Sequence, residues 1–218
     1  AVLDHCAVLD DDHGATHIRS VEVRQGRDSS FRSGVFALGG GLVRSDLAVT
    51  LGGTGADATL EGLYIGSGHQ HLDNHLLVRH SAPACTSRQL YKGILDGSSR
   101  AVFNGRIVVD KGAQKTDARQ SNRNLVLSDT AVANSNPQLE IFADDVRCTH
   151  GSTVGRLDDE AVFYLRSRGL DRAEAQRLLV QAFAGEILDR VREPELRERL
   201  AALVADKLAA LTTTGGAA

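Results

Sequence analysis

From Ile18 to about Val154 the chain is a succession of short alternating runs cut by Gly, Asp and Asn, and this cadence limits what it can fold into more than any other feature. HIRSVEVRQG, GVFALGGGLVR, ATLEGLYIGSG, NHLLVRHSA, RAVFNGRIVVDKG and PQLEIFADD are typical. Each run holds about 5–7 residues with β-branched or aliphatic side chains at alternate places, the period of a strand with one face buried. Turn signals recur every ~10–14 residues and no window carries a 3.6-residue period, a pattern that suits a sandwich, a barrel or a β-helix. Asn122, Asn124, Asn134 and Asn136 read as the Asn-rich corners of β-helix rungs, in which inward aliphatics stack on those of the next rung. No strict sequence repeat is visible, so the pattern by itself leaves the sandwich open.

After Arg156 the grammar changes. Asp158 is placed to cap a helix that runs through Leu165 and stops at Gly169. Asp171 and Glu174 form a D-x-x-E variant of the capping box. The helix that follows is expected to place Ala175, Leu178, Leu179, Ala182, Phe183, Ile187, Leu188 and Val191 on one stripe. Pro194 suits the first turn of a third helix with an apolar face of Leu196, Leu200, Leu203, Val204, Leu208 and Leu211. The expected organisation is therefore a β core over residues 1–156, a helical subdomain over 157–211 and a flexible tail over 212–218.

Composition excludes several classes. A net charge of −3 and a pI near 6.3 leave no basic excess to neutralise phosphates, so no nucleic-acid partner is expected. No apolar run approaches the ~18 residues of a membrane span and Ala1 begins no signal-peptide pattern, which points to a cytoplasmic protein. Cys6, Cys85 and Cys148 are three scattered cysteines, an odd set that forms no disulfide framework. None belongs to a C-x-x-C pair, so this chain alone does not supply the four thiolates of an ordinary iron–sulfur site. The chain has no Met, even at position 1, so it is expected to lack an N-terminal region. There is no G-x-x-x-x-G-K-[ST] loop for ATP and no G-x-S-x-G elbow, and Gly39–Gly41 and Gly52–Gly53 read as turns. The adjacent Asp144 and Asp145 point to opposite faces of a strand and cannot work as an acid–base pair.

Two constellations could carry chemistry. Cys148 and His150 are one residue apart, so on a strand they share a face, and both residue types are ligands for iron or zinc. Alone, the pair is equally the sequence of a buried cysteine beside a hydrogen-bonded histidine. His69, His71, Asp73 and His75 alternate, so a strand would put all four on one face as candidate metal ligands. Against the H-x-H-x-D-H signature the last histidine falls one residue late. That favours a polar outer face or a stacked histidine ladder over a metal site at His69, His71 and His75.

Four blocks in one order, AQKTDARQSN (113–122), PQLEIFADDV (137–146), CTHGSTVG (148–155) and EAVFYLRSRG (160–169), resemble the C-terminal half of SufD, in the SufB/SufD family of the SUF iron–sulfur cluster assembly machinery. LDNHLLVRH (72–80), TSRQLYKG (86–93) and VFNGRIVV (102–109) extend the resemblance over nearly the whole chain. Cys148-Thr149-His150-Gly151 stands where a B-type subunit has a Glu-His-Glu type sequence, which favours the D-type. The resemblance implies a right-handed parallel β-helix followed by a small α-helical subdomain. It also implies a non-catalytic scaffold that pairs with a SufB-like subunit, or with itself in isolation, and docks a SufC-type ABC ATPase through the C-terminal helices, Leu200 and Leu203 among them. The histidine of the family's C-x-H-G element maps onto His150, beside Cys148, at the interface where a nascent iron–sulfur cluster would be shared with the partner and not held stably by this chain alone. The competing expectation is a carbohydrate-active β-helix enzyme, or a metal enzyme using His69, His71 and His75.

Overall fold

The computed structural model describes residues 1–214, and the side chains of residues 1–211. Eleven strands come first: β1 (Val2–Leu9), β2 (Thr16–Gln25), β3 (Ser30–Ala37), β4 (Leu42–Leu51), β5 (Asp57–Gly66), β6 (His71–His80), β7 (Thr86–Leu95), β8 (Arg100–Val109), β9 (Thr116–Val126), β10 (Val132–Ile141) and β11 (Val146–Gly155). Three helices follow: α1 (Asp159–Ser167), α2 (Arg172–Leu188) and α3 (Pro194–Thr214). Odd strands form one six-stranded sheet in the order β1-β3-β5-β7-β9-β11, and even strands form a five-stranded sheet in the order β10-β8-β6-β4-β2. Every pairing is parallel and joins each strand to the next but one, so the chain winds as a β-solenoid with one strand of each rung in each sheet.

The rungs repeat in conformation without repeating in sequence. Ser30, Asp57, Thr86 and Asp117 stand in register, at separations of 27, 29 and 31 residues. Two residues before each lies a left-handed residue: Asp28 (φ 49), Gly55 (φ 73), Ala84 (φ 56) and Lys115 (φ 61). This corner takes one backbone shape four times, and three of the four residues are not glycine. Stacking on neighbouring turns holds the strained conformation in place. A search for recurring residues therefore finds no period.

The interior between the sheets is filled by inward positions such as Leu47, Val49, Leu60, Leu72, Val78 and Phe103. Asn122 and Asn124, expected at corners, instead lie within β9 and are buried, while Asn134 and Asn136 lie within β10 on its exposed side. The buried pair is tolerated because a closed ring of hydrogen bonds satisfies it. The Tyr64 hydroxyl donates to Asn124 Oδ1, Asn124 Nδ2 donates to Asn122 Oδ1 at 2.8 Å, and Asn122 Nδ2 donates to the Tyr64 oxygen at 2.9 Å.

The helices cover the outer face of the odd-strand sheet. Asp158 caps α1 by accepting from the Glu160 amide at 3.0 Å, and Gly169 (φ 97) follows its C-terminus. Asp171 and Glu174 close both bonds of the capping box on α2, and Pro194 opens α3. Val180, Ala184, Ile187, Leu200, Val204, Leu208 and Leu211 form one buried cluster with Phe36, Leu38, Leu63, Ile65, Leu90, Ile94 and Leu125 of the strands. On α2 the buried stripe is rotated from the expected one: Val180 and Ala184 are inside, whereas Leu178 and Ala182 are exposed. Leu200 is 1% exposed and Leu203 packs against the same cluster, which corrects their expected role as a free docking face. Helix α3 runs on to Thr214, three residues into the tail expected at 212–218, and residues 215–218 lie outside the described part.

A cation helps fasten α2. Lys92, on the outer face of β7, donates to the Phe183 carbonyl at 2.9 Å, lies 4.2 Å from the centre of the Phe183 ring and ion-pairs with Glu186. The hydrogen bond from Lys92 holds the Glu186 carboxyl below the usual range, with Arg123 and Arg190 adding to it.

Candidate functional site: the open end of the solenoid

At the C-terminal end of the solenoid both sheets stop together. β11 is the last strand of one sheet and β10 of the other, so two edges of unpaired backbone lie side by side among the described residues. β10 is edged with exposed Val132 and Ile141, and Phe142 beyond it is 62% exposed. Pro137 sits within β10, compatible with an edge strand where one N–H has no ladder partner.

Cys148 and His150 lie on β11, in register with Ala118 and Gln120 of β9. Alternation gives them one face, the inward one, and among the described residues no further rung covers them. Cys148 is half-buried against a small cluster of Ile107, Val109, Ala113, Ala118 and Ala143. Burial pushes its thiol above the ordinary range, the Ala118 backbone hydrogen bond pulls it down and the Asp117 carboxylate adds to the rise, so the free side chain is a thiol at neutral pH. His150 is exposed, and its strand borders a groove of about 490 Å3 on the outer face of the sheet, where Glu61, Arg88, Arg119 and Arg123 face Glu186 and Arg190. Gly151 is equally open: a Cβ built there meets nothing within 4 Å.

The three cysteines do not meet. Cys6 is exposed on β1 at the opposite end of the sheet, and Cys85 is buried, with its thiol directed to the Gly53 carbonyl at 3.3 Å. His71, Asp73 and His75 do share the outer face of β6, as their alternation requires, but His69 lies in the preceding turn. Asp73 is engaged by Arg44 at 3.0 Å and by His75 at 2.8 Å, and the Asn104 amide lies 3.2 Å from His75 Nε2. This is a polar ladder across β4, β6 and β8, and among the described residues no three His, Cys, Asp or Glu side chains gather as a metal site. Among the same residues no helix is long and apolar enough to cross a membrane.

Sequence reasoning passed over the polar residues that line the interior beneath His150. Gln89 and Gln120 are each 3% exposed, and Gln120 Nε2 donates to Gln89 Oε1 at 2.8 Å. Their signal was a polar residue at an inward place of an alternating run, which has meaning only once the register stacks one on the other.

The sequence has clear relatives among known proteins. Residues 1–183 match the family model described as "SUF system FeS cluster assembly, SufBD core domain". An iron–sulfur cluster assembly SufBD family protein of Mycobacterium bovis is 43% identical over 200 residues, covering 88% of this chain and 50% of the relative. The iron–sulfur cluster assembly protein SufD of Escherichia coli is 36% identical over 208 residues, covering 95% of this chain and 49% of its own. The chloroplastic protein ABCI7 of Arabidopsis thaliana is 34% identical over 200 residues. The chain spans about half the length of the relatives it matches. A parallel solenoid closed on one face by helices, matched by that family model over most of its length, places this chain in the SufBD core family of the SUF iron–sulfur cluster assembly system.

Proposed function

We propose that the chain is the C-terminal part of a D-type scaffold subunit that pairs with a SufB-like subunit through the open end at β10 and β11. The nascent cluster is the cargo of this interface, with His150 donating one ligand from the last rung and the partner supplying the others. The chain contributes a surface and a ligand and no turnover chemistry of its own. ATP hydrolysis belongs to a SufC-type partner, since no phosphate-binding loop is present here. With Leu200 buried, the helical surface left for that ATPase includes Phe163 (72% exposed), Tyr164 and Leu178. We assign the complex to the cytoplasm.

The observation that carries this reading is the coincidence of two open sheet edges with an exposed imidazole on the terminal rung. Edge strands offer the backbone groups that a second sheet can continue. Gly151→Arg tests the pairing cleanly, because the open space around Gly151 admits the side chain without disturbing the fold. In co-expression with both partners, the variant should lose the SufB-like subunit and keep the ATPase. Undiminished recovery of the SufB-like subunit would move the interface elsewhere.

A further inference from the structure

The register stacks Gln89 of β7, Gln120 of β9 and His150 of β11 in one column that runs from the buried interior to the open end. The Gln120 amide is turned toward β7, where its Nε2 meets Gln89. Its Oε1 is buried and has no hydrogen-bond partner among the described residues. A buried amide oxygen without a donor has lost its water with nothing in return, so such an atom calls for an explanation. β9 has two neighbours in its sheet, and the in-register residue on the side away from Gln89 is His150. Parallel strands lie about 4.8 Å apart, so inward side chains in register on neighbouring strands, as Gln120 and His150 are, lie within side-chain reach of each other. The pocket for the amide depends on Gly105 of β8, across the interior. A Cβ there would come within 2.4 Å of Gln120 Nε2 and 2.7 Å of its Cδ.

We infer that Gln120 is a positioning residue for His150. Its Oε1 accepts the ring N–H of His150, which fixes the tautomer and aims the other ring nitrogen out of the open end toward iron. A histidine that ligates a metal nearly always donates its second N–H to such an acceptor, which sets the ring orientation and raises the basicity of the ligating nitrogen. The orphaned oxygen of Gln120 is that acceptor, held ready by Gln89 behind it. This inference rests on the proposed ligand role of His150.

The test is anaerobic equilibrium dialysis of Fe2+ against the heteromeric complex assembled from full-length subunits. Gln120→Leu should weaken Fe2+ binding roughly 10–100-fold. Gln89→Leu, equally buried but one rung further away, should change it little. Gln120→Glu should restore binding, because it keeps an acceptor and Gln89 has an unpartnered Nε2 that can turn to donate to it. In a His150→Ala background Gln120→Leu should have no further effect. If Gln120→Leu binds Fe2+ like wild type while His150→Ala does not, the positioning role falls and the ligand role stands. Equal losses from Gln89→Leu and Gln120→Leu, or a further loss in the His150→Ala background, would make the column a packing element and overturn the proposal. If His150→Ala itself binds Fe2+ normally, the scaffold reading and the inference fall together. Should Gln120→Leu not assemble, Gln120→Glu decides: normal Fe2+ binding supports the role and lost binding in an assembled complex overturns it.

Discussion

His80 is fully buried in the solenoid, with Nε2 at 2.9 Å from the Ser87 hydroxyl and Nδ1 unpaired among the described residues. Burial lowers its pKa from 6.5 to about 4, so the folded protein keeps the ring neutral where the unfolded chain would protonate it. The unfolded state therefore binds more protons between pH 6.5 and 4. Stability is complete above that window and declines as the pH falls through it, by up to ~3 kcal/mol from this residue. His5, lowered by burial and then by Arg19, adds in the same direction. Denaturant unfolding across the window should show this decline, and His80→Gln should flatten it. At Gly93 a Cβ would come within 2.1 Å of the Tyr64 ring and 2.4 Å of Asn124 Oδ1. Gly93→Ala should accordingly cost about 1–3 kcal/mol in the same unfolding measurement, since the Tyr64–Asn122–Asn124 ring cannot yield without losing its bonds. These polar interior residues were the least legible part of the sequence. Alternation marks an apolar residue as inward, but a buried Asn or Gln meets partners one or two rungs away, 31 residues for Gln120 and Gln89 and 58 for Asn122 and Tyr64, and only the register reveals them.

The helices were legible where local chemistry decides and illegible where packing does. Asp158, the Asp171–Glu174 box and Pro194 mark their helix starts because caps are satisfied within a few residues of sequence. Which stripe of α2 turns inward depends on the shape of the sheet beneath, and small Ala184 lies there in place of the larger Leu178. Leu200→Asp should consequently destabilise the whole protein by roughly 3 kcal/mol or more, because it places a charge within the cluster shared by α3 and the sheet. Phe163→Ser should leave stability within about 0.5 kcal/mol, the usual range for an exposed position, and weaken capture of the ATPase. Thermal unfolding read beside ATPase pull-down separates the two cases. Equal destabilisation by both substitutions would mean that α1 is core, and undiminished ATPase capture by Phe163→Ser would place docking on another face.

At the scale of the whole molecule, the solenoid is a device that carries one terminal rung, with His150 and a half-buried Cys148, to an end where both sheets are unfinished. The strand cadence announced a β structure, yet the choice of a solenoid over a sandwich came from family resemblance. In a solenoid each strand pairs with one a full rung away, and no short-range pattern records that pairing. As proposed, this end holds part of a cluster and not merely part of an interface. Iron and acid-labile sulfide per assembled heteromer, compared between wild type and His150→Ala after anaerobic reconstitution, test it most directly. An intact heteromer with reduced iron and sulfide is expected for His150→Ala, and a smaller loss for Cys148→Ser. An intact His150→Ala heteromer carrying the wild-type content of iron and sulfide would contradict it.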